Sequence, residues 1–399
     1  MKTQILIFLI LFISSCVKRS EIKSNIPDQV ITVNLNDPKT QVDSFMNEIE
    51  DVSLIPLKID TSVILSDATM QLRVTSKYIY IFDVKFKKLY GFSANGNYQF
   101  KIDKFGRGPG EYIQPGNFFV SKDSEISIYD QATKKILFYD KYGHFIKEKI
   151  IDCPANNVAY LADSFFVAYA QNTVFYDKNK DGVKIVKING MTSKTFLPLP
   201  KWISNSKLKL ATGSNFSYQD FSPRLFLPWS NYVYSITPDS VSCKYKIDFR
   251  EHNIPESFLS DNETNIDENI IEITKRINDS GWASSIDFYQ ESSNYCFFTF
   301  MLDRDFNYSL FSKKSKKTYT TKFKDLPFGW IFVLKPFLCS YKNSFYTLVS
   351  VNQLNCLLQL TTITDPRLIQ IQNQYKNYKK NIGIRLDDED QMLISFKTK

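Results

Sequence analysis

Beyond Val52 the chain breaks into short apolar runs separated by polar turn residues, a pattern that predicts an all-β architecture. Tyr78, Tyr80 and Phe82 alternate with Ile79 and Ile81, so both faces of this strand are apolar and it needs a neighbour on each side. The pattern then repeats. Ile79, Ile81, Asp83, Lys88 and Gly96 recur as Ile126, Ile128, Asp130, Lys135 and Gly143, each 47 positions further on. Strands are predicted at 70–74, 78–82, 87–92 and 98–102, and again at 117–121, 126–129, 135–139 and 145–150. Gly96 and Gly143 fall between the third and fourth strands of each copy, where a tight hairpin turn needs positive φ.

A unit of four antiparallel strands that cannot bury its own apolar surface must stack against copies of itself, as propeller blades do. Looser copies follow at 158–188, 208–249 and 285–323. A sixth uses 330–334, 345–350 and 392–396 and is one strand short, so a strand from the N-terminal side, at 30–35 or 52–57, is expected to complete it. The expected fold is all-β: a six-bladed β-propeller of four-stranded antiparallel blades with one or two inserted helices. The helix candidates are 255–278, with Ile266, Ile270, Ile273 and Ile277 at helical spacing, and 366–380, apolar at Leu368, Ile369 and Ile371. Core packing is the default for both stripes, and a partner-binding face the sharper alternative.

The N-terminus reads differently. Lys2 precedes nine apolar residues, Ile5 to Ile13, and then Ser14, Ser15 and Cys16. Nine residues cannot span a bilayer, which needs roughly 20, so this is a targeting segment. The tail Ile13-Ser14-Ser15-Cys16 resembles a bacterial lipobox, in which the cysteine is lipidated, by palmitate among other chains, and becomes the mature N-terminus; an ordinary secretory signal is the bland alternative. The expected organisation is a signal peptide at 1–15, a lipidated N-terminus and polar tether at 16–48, and the propeller at 49–399.

Composition supports a large core, with 43% hydrophobic residues and 33 Phe and 23 Tyr against 13 Gly, which suits packed strands. The net charge of +8 falls only to +7 without Lys2, and Lys313, Lys314, Lys316 and Lys317 fit a solvated turn, so nucleic acid is not an expected partner. Once Cys16 is lipidated, Cys153, Cys243, Cys296, Cys339 and Cys356 remain, an odd number without a C-x-x-C pair. Most fit small buried hydrophobes within strands.

The chemistry-bearing motifs are sparse. Gly106-Arg107-Gly108-Pro109-Gly110-Glu111-Tyr112 joins one unit to the next; it lacks the Lys of a phosphate loop, and Pro109 removes an N–H such a loop would use. It reads either as a tight structural crossing or as part of a ligand-binding mouth, with Arg107 forking an anion, Glu111 accepting from hydroxyls and Tyr112 stacking. The stretch 177–182 imitates the start of a calcium loop, but Ile188 stands where a bidentate Glu is required, so a hairpin turn is expected. Only His144 and His252 are present, and no G-x-S-x-G elbow occurs. No catalytic residue, metal site or cofactor is expected.

With the glycine loop, Ile55-Pro56-Leu57, Ile136-Leu137-Phe138-Tyr139, the Gly143 turn and the Cys16 motif together, the chain resembles the bacterial six-bladed β-propeller lipoproteins related to NHL-repeat proteins. The resemblance is strong over 52–150 and weak beyond. It implies a lipid-anchored protein of the cell envelope, at the outer membrane, with no defined reaction to carry over. The expected function is therefore a binding or scaffolding module for a protein, peptide or glycan; the alternative is a hydrolase or lyase with a site in the central channel.

Overall fold

The computed structural model describes residues 26–35, 41–58, 65–66, 70–151, 155–162, 165–169, 181–187, 192–198, 215–227, 230–255, 257–258, 270–284, 286, 288–326, 337–360, 364–381 and 390–399. Their strands form six sheets, one per blade, arranged as a six-bladed propeller. From the channel outward, blade one is Met70–Val74, Tyr78–Asp83, Lys88–Ser93 and Tyr98–Ile102, and blade two is Pro115–Val120, Ile126–Asp130, Lys135–Tyr139 and Phe145–Ile150. Blade three is Asn157–Ala162, Phe165–Tyr169, Asp181–Lys187 and Thr192–Pro198. Blade four is Phe216–Gln219, Ser222–Phe226, Tyr232–Ile236 and Val241–Asp248, and blade five is Phe288–Glu291, Tyr295–Leu302, Asp305–Ser312 and Thr318–Lys322.

Blade six mixes the two ends of the chain. Its three inner strands are Cys339–Tyr341, Ser344–Ser350 and Gln391–Thr398, and Ile49–Pro56 pairs antiparallel with the last of these as the outer strand. Of the two sequence candidates for closure, the one near 52–57 closes the ring. The other, near 30–35, does not: Gln29–Thr32 joins blade four as a fifth strand, parallel to Val241–Asp248. Its apolar residues decide this, because Ile31 and the following Val33 bury fully against Tyr245, Ile247 and Phe298. The inner-strand candidate at 330–334 lies outside the described residues.

The doubly apolar strand of blade one has the two neighbours its pattern demands. Ile79 and Ile81 pack towards Leu348 and Leu393 of blade six, and Tyr80 and Phe82 towards Phe118 and Ile128 of blade two. Side-chain amides lace the inner strands: Gln71 Nε2 donates to the Gly116 carbonyl at 2.9 Å, Asn117 to that of Val158, and Gln290 to that of Leu338 at 3.1 Å.

The other repeated residues now have mechanical meanings. Asp83, fully buried, accepts from the backbone N–H of Ser66 at 2.6 Å and of Phe86 at 2.9 Å. Asp130 does the same with Ile113 and Gln114, at 3.2 and 2.6 Å. Each aspartate thus pins the segment entering its blade's inner strand. Lys88 and Lys135 pair outward with Asp103 and Glu148 at 2.9 and 2.7 Å. Gly96, at φ +81°, sets its turn against the ring-closing strand, where a Cβ would lie 2.1 Å from the Pro56 carbonyl oxygen. Left-handed strain and a backbone clash add, so Gly96→Ala is expected to cost about 2–5 kcal/mol in a denaturant melt.

Helices accompany the strands among the described residues. Ile270–Asp279 falls in the first predicted stretch and buries Ile273 and Ile277, while Ile266 lies outside the described residues. Pro366–Asn381 matches the second, and it covers the outer edge of blade six. Gln374 accepts from the Leu54 N–H at 2.6 Å, and Tyr378 donates to the Leu54 carbonyl at 3.3 Å, so the edge backbone is satisfied where it could otherwise recruit another strand. Gln41–Asn47 and Val351–Leu360 are helices the sequence reading passed over; they bury Phe45 and Met46, and Val351 and Leu354. No helix among the described residues is long and apolar enough to cross a membrane.

Candidate functional site

In each blade the chain runs down the inner strand, so the turn after it and the turn between the third and fourth strands lie at one end of the ring. The connections between blades lie at the other. This separates the glycine loop from the cavity at the channel mouth.

The loop 106–112 is an inter-blade connection and closes on itself. Gly108 N–H donates to Glu111 Oε2 at 2.7 Å, and Glu111 N–H to the Gly108 carbonyl at 3.0 Å. The Tyr112 hydroxyl donates to the Lys87 carbonyl at 2.7 Å, and its ring is fully buried, offering no face for stacking. Gly110, at φ +73°, has its carbonyl held by the Tyr139 hydroxyl at 2.9 Å. Glu111 is thus engaged within the loop, and Arg107 alone of the three side chains is exposed.

The cavity lies at the opposite end. A narrow pit is lined by inner-strand residues from several blades, among them Arg73, Tyr218, Gln290, Cys339 and Ser340. It adjoins a broader cleft of about 490 Å³, which shares Thr75, Phe221 and Tyr341 with the pit and adds Tyr78, Ser124 and three lysines, Lys77, Lys122 and Lys141. The Arg73 guanidinium lies 4.6 Å from the Tyr218 ring centroid and 5.6 Å from that of Phe118. One wall is strained: Asp220 and Phe221 make the hairpin turn of blade four with φ of +46° and +70°, values that a phenylalanine rarely adopts. Burial pushes the Tyr218 hydroxyl and the Cys339 thiol up to about 12 each, Arg73 opposing the shift in both, so neither is a base or nucleophile near neutral pH.

Beside the pit sits a buried charge cluster. Glu291, 1% exposed, accepts from Arg224 Nε and pairs with Lys313 Nζ, each at 2.7 Å, and the hydroxyls of Tyr245 and Tyr289 reach it at 3.2 and 3.3 Å. Burial alone would raise the Glu291 pKa, but the two cations outweigh it and hold the carboxyl below its ordinary range. Lys313 thus leaves the solvated turn in which the sequence placed it. The cluster binds blade four to blade five, and its central carboxylate is closed to solvent.

His252 Nδ1 lies 2.8 Å from the Gly281 carbonyl, and His144 sits in an exposed turn 3.1 Å from Asp140. Most of the calcium-like stretch 177–182 and Cys153 lie outside the described residues, as does Cys16. Cys243, Cys296 and Cys339 are buried free thiols within strands, and Cys356 is exposed. Among the described residues, no group of three His, Cys, Asp or Glu side chains is placed to hold a metal. The mouth residues escaped the sequence reading because they come from blades far apart in the chain. One signal was present: Arg73 interrupts the otherwise uncharged strand Met70–Val74.

Solved structures share the architecture. A candidate exported protein from Bacteroides fragilis superposes with a TM-score of 0.73 at 17% identity, covering 93% of this chain and 99% of that one. A member of the DUF4221 family from Bacteroides vulgatus gives 0.49 at 11% identity, over 87% of this chain and 96% of that one. Virginiamycin B lyase from Staphylococcus aureus gives 0.39 at 11% identity, over 74% and 81%. No curated protein matches the chain in sequence. The family pattern of the domain of unknown function DUF4934 matches residues 29–395, nearly the whole propeller, and the chain belongs to that family.

Proposed function

We propose that this chain is an exported binding module of the cell envelope, held at a membrane by lipid on Cys16 and taking its ligand at the channel mouth. The observation that carries the reading is the cleft and pit at the channel end, where side chains of five blades converge. A concave site of this size suits a small molecule or a short oligomer, whereas a protein partner of ordinary affinity covers roughly 800 Å² of surface. The candidate exported protein of the same fold supports export. The resemblance to NHL-related lipoproteins, and with it the outer membrane, rests on the sequence motifs alone.

The described chain enters the ring at the mouth end. Gln29–Thr32 runs parallel to the outer strand of blade four and therefore enters from the mouth end, where Lys316 Nζ lies 3.2 Å from Gln29 Oε1. Cys16 lies thirteen positions before Gln29, a reach of at most about 45 Å.

Two measurements test the reading. Cys16→Ser is expected to move the protein from the membrane to the soluble fraction, and unchanged retention sinks the anchor. Hydrogen exchange with and without a glycan and peptide fraction of the envelope is expected to show protection at 75–78, 121–124 and 220–221. Protection confined to 106–112, or none anywhere, contradicts a binding mouth.

A further inference from the structure

Arg73 is a cation without a counter-ion among the described residues. Its Nη1 donates to the carbonyl of its own neighbour Leu72 at 2.7 Å, while its Nε is buried and has no hydrogen-bond partner. No carboxylate of the described residues pairs with it, although Asp220 lines the same pit. Guanidinium stays charged at any ordinary pH. The flanking rings of Tyr218 and Phe118 offset only part of the lost hydration, since a cation–π contact contributes about 0.5–2 kcal/mol. A partly buried, unpaired charge at the head of a cavity is stabilised by an anion that forks onto it.

Resting on the binding reading above, we propose that the mouth recognises a carboxylate-bearing saccharide, with Arg73 as the carboxylate-binding residue. Lys77, Lys122 and Lys141 make the surrounding cleft cationic, with Asp123 as the opposing charge among its lining residues. These lysines draw in acidic ligands and hold the further carboxylates of an oligomer. The saccharide body follows from the walls: Tyr78, Phe221 and Tyr341 supply flat faces for the C–H sides of sugar rings. Ser76 and Ser124 supply short hydroxyls suited to sugar hydroxyls, whereas that of Thr75 is engaged by the Tyr78 backbone at 3.0 and 3.2 Å. The strained turn at Phe221 holds one of those faces in place rather than leaving it to a freely rotating loop.

The test is calorimetric titration of the full protein with a panel of carboxylated saccharides (trigalacturonate, a glucuronate oligomer and sialyllactose), neutral counterparts of the same length, and an acidic hexapeptide. At least one carboxylated saccharide is expected to bind, at least tenfold more tightly than its neutral counterpart, with affinity falling as salt rises. Arg73→Lys keeps the charge but loses the planar fork and is expected to weaken binding about tenfold; Arg73→Gln is expected to abolish it. Unchanged thermal melts separate these effects from misfolding, and Arg107→Ala is expected to bind as the unmodified protein does. Binding of the hexapeptide without any saccharide, equal affinity for neutral and acidic sugars, or undiminished binding by Arg73→Gln overturns the proposal. Failure of the whole panel also overturns it; if envelope fractions still protect the mouth in hydrogen exchange, the binding reading survives, and if they do not, both fall.

Discussion

Removal of the chain through Leu57 is expected to abolish the monomeric folded state. The deletion takes the outer strand of blade six and the helix before it, and with them Phe45, Met46, Ile49, Val52, Leu54 and Leu57, all at most 5% exposed. Fully burying one such side chain contributes about 1.5–3 kcal/mol, so their joint loss rivals the 5–15 kcal/mol by which whole domains are stable. The same cut bares the edge of Gln391–Thr398, which presents unpaired backbone groups to other chains. Size-exclusion chromatography with light scattering should show aggregates. Removal through Asp28 spares every described strand and should leave a monomer of nearly unchanged melting temperature.

Glu291→Ala is the point change with the largest expected effect. It leaves Arg224 and Lys313 without their buried anion, and breaking such a cluster costs about 3–5 kcal/mol. Proton linkage gives an independent signature. The folded carboxyl titrates below its unfolded value of 4.5, so its contribution is present above that pH and is lost as the pH falls through the lower folded value. Denaturant midpoints measured from pH 6 to pH 3 should fall for the unmodified protein. Glu291→Gln, less stable at pH 6, should lack the part of that slope due to this proton. Parallel slopes would mean that the two cations do not govern this carboxylate.

Architecture was legible where local pattern and global packing coincide. The 47-residue offset exposed two blades because each reuses the same alternation, aspartate and turn glycine, and the structure gives these a common task of fastening neighbouring segments. The amides of Gln71 and Asn117 act between blades and are invisible to a hydrophobic count. The helix Val351–Leu360 was overlooked although Val351, Leu354 and Leu358 follow helical spacing, because it continues directly from the apolar strand Ser344–Ser350. Which early strand closed the ring could not be read from alternation, which 30–35 and 52–57 both show; burial against blade four or blade six decided between them.

The site was much less legible. The glycine loop drew attention as the densest local motif, yet its density reflects a self-bonded crossing in which Tyr112 is buried and Glu111 is engaged. The mouth is assembled from residues as distant as Arg73, Tyr218 and Ser340, and no spacing rule links them. Only closure of the ring brings them together, and in the sequence Arg73 is a single charge within a strand.

The most direct measurement is a crystal structure grown with the carboxylated saccharide that binds most tightly. The account predicts density in the cleft, with a carboxylate forked on Arg73 and a sugar ring against Phe221 or Tyr341. A saccharide lodged instead at the 106–112 loop or along an outer blade edge, with the mouth unchanged, would contradict it.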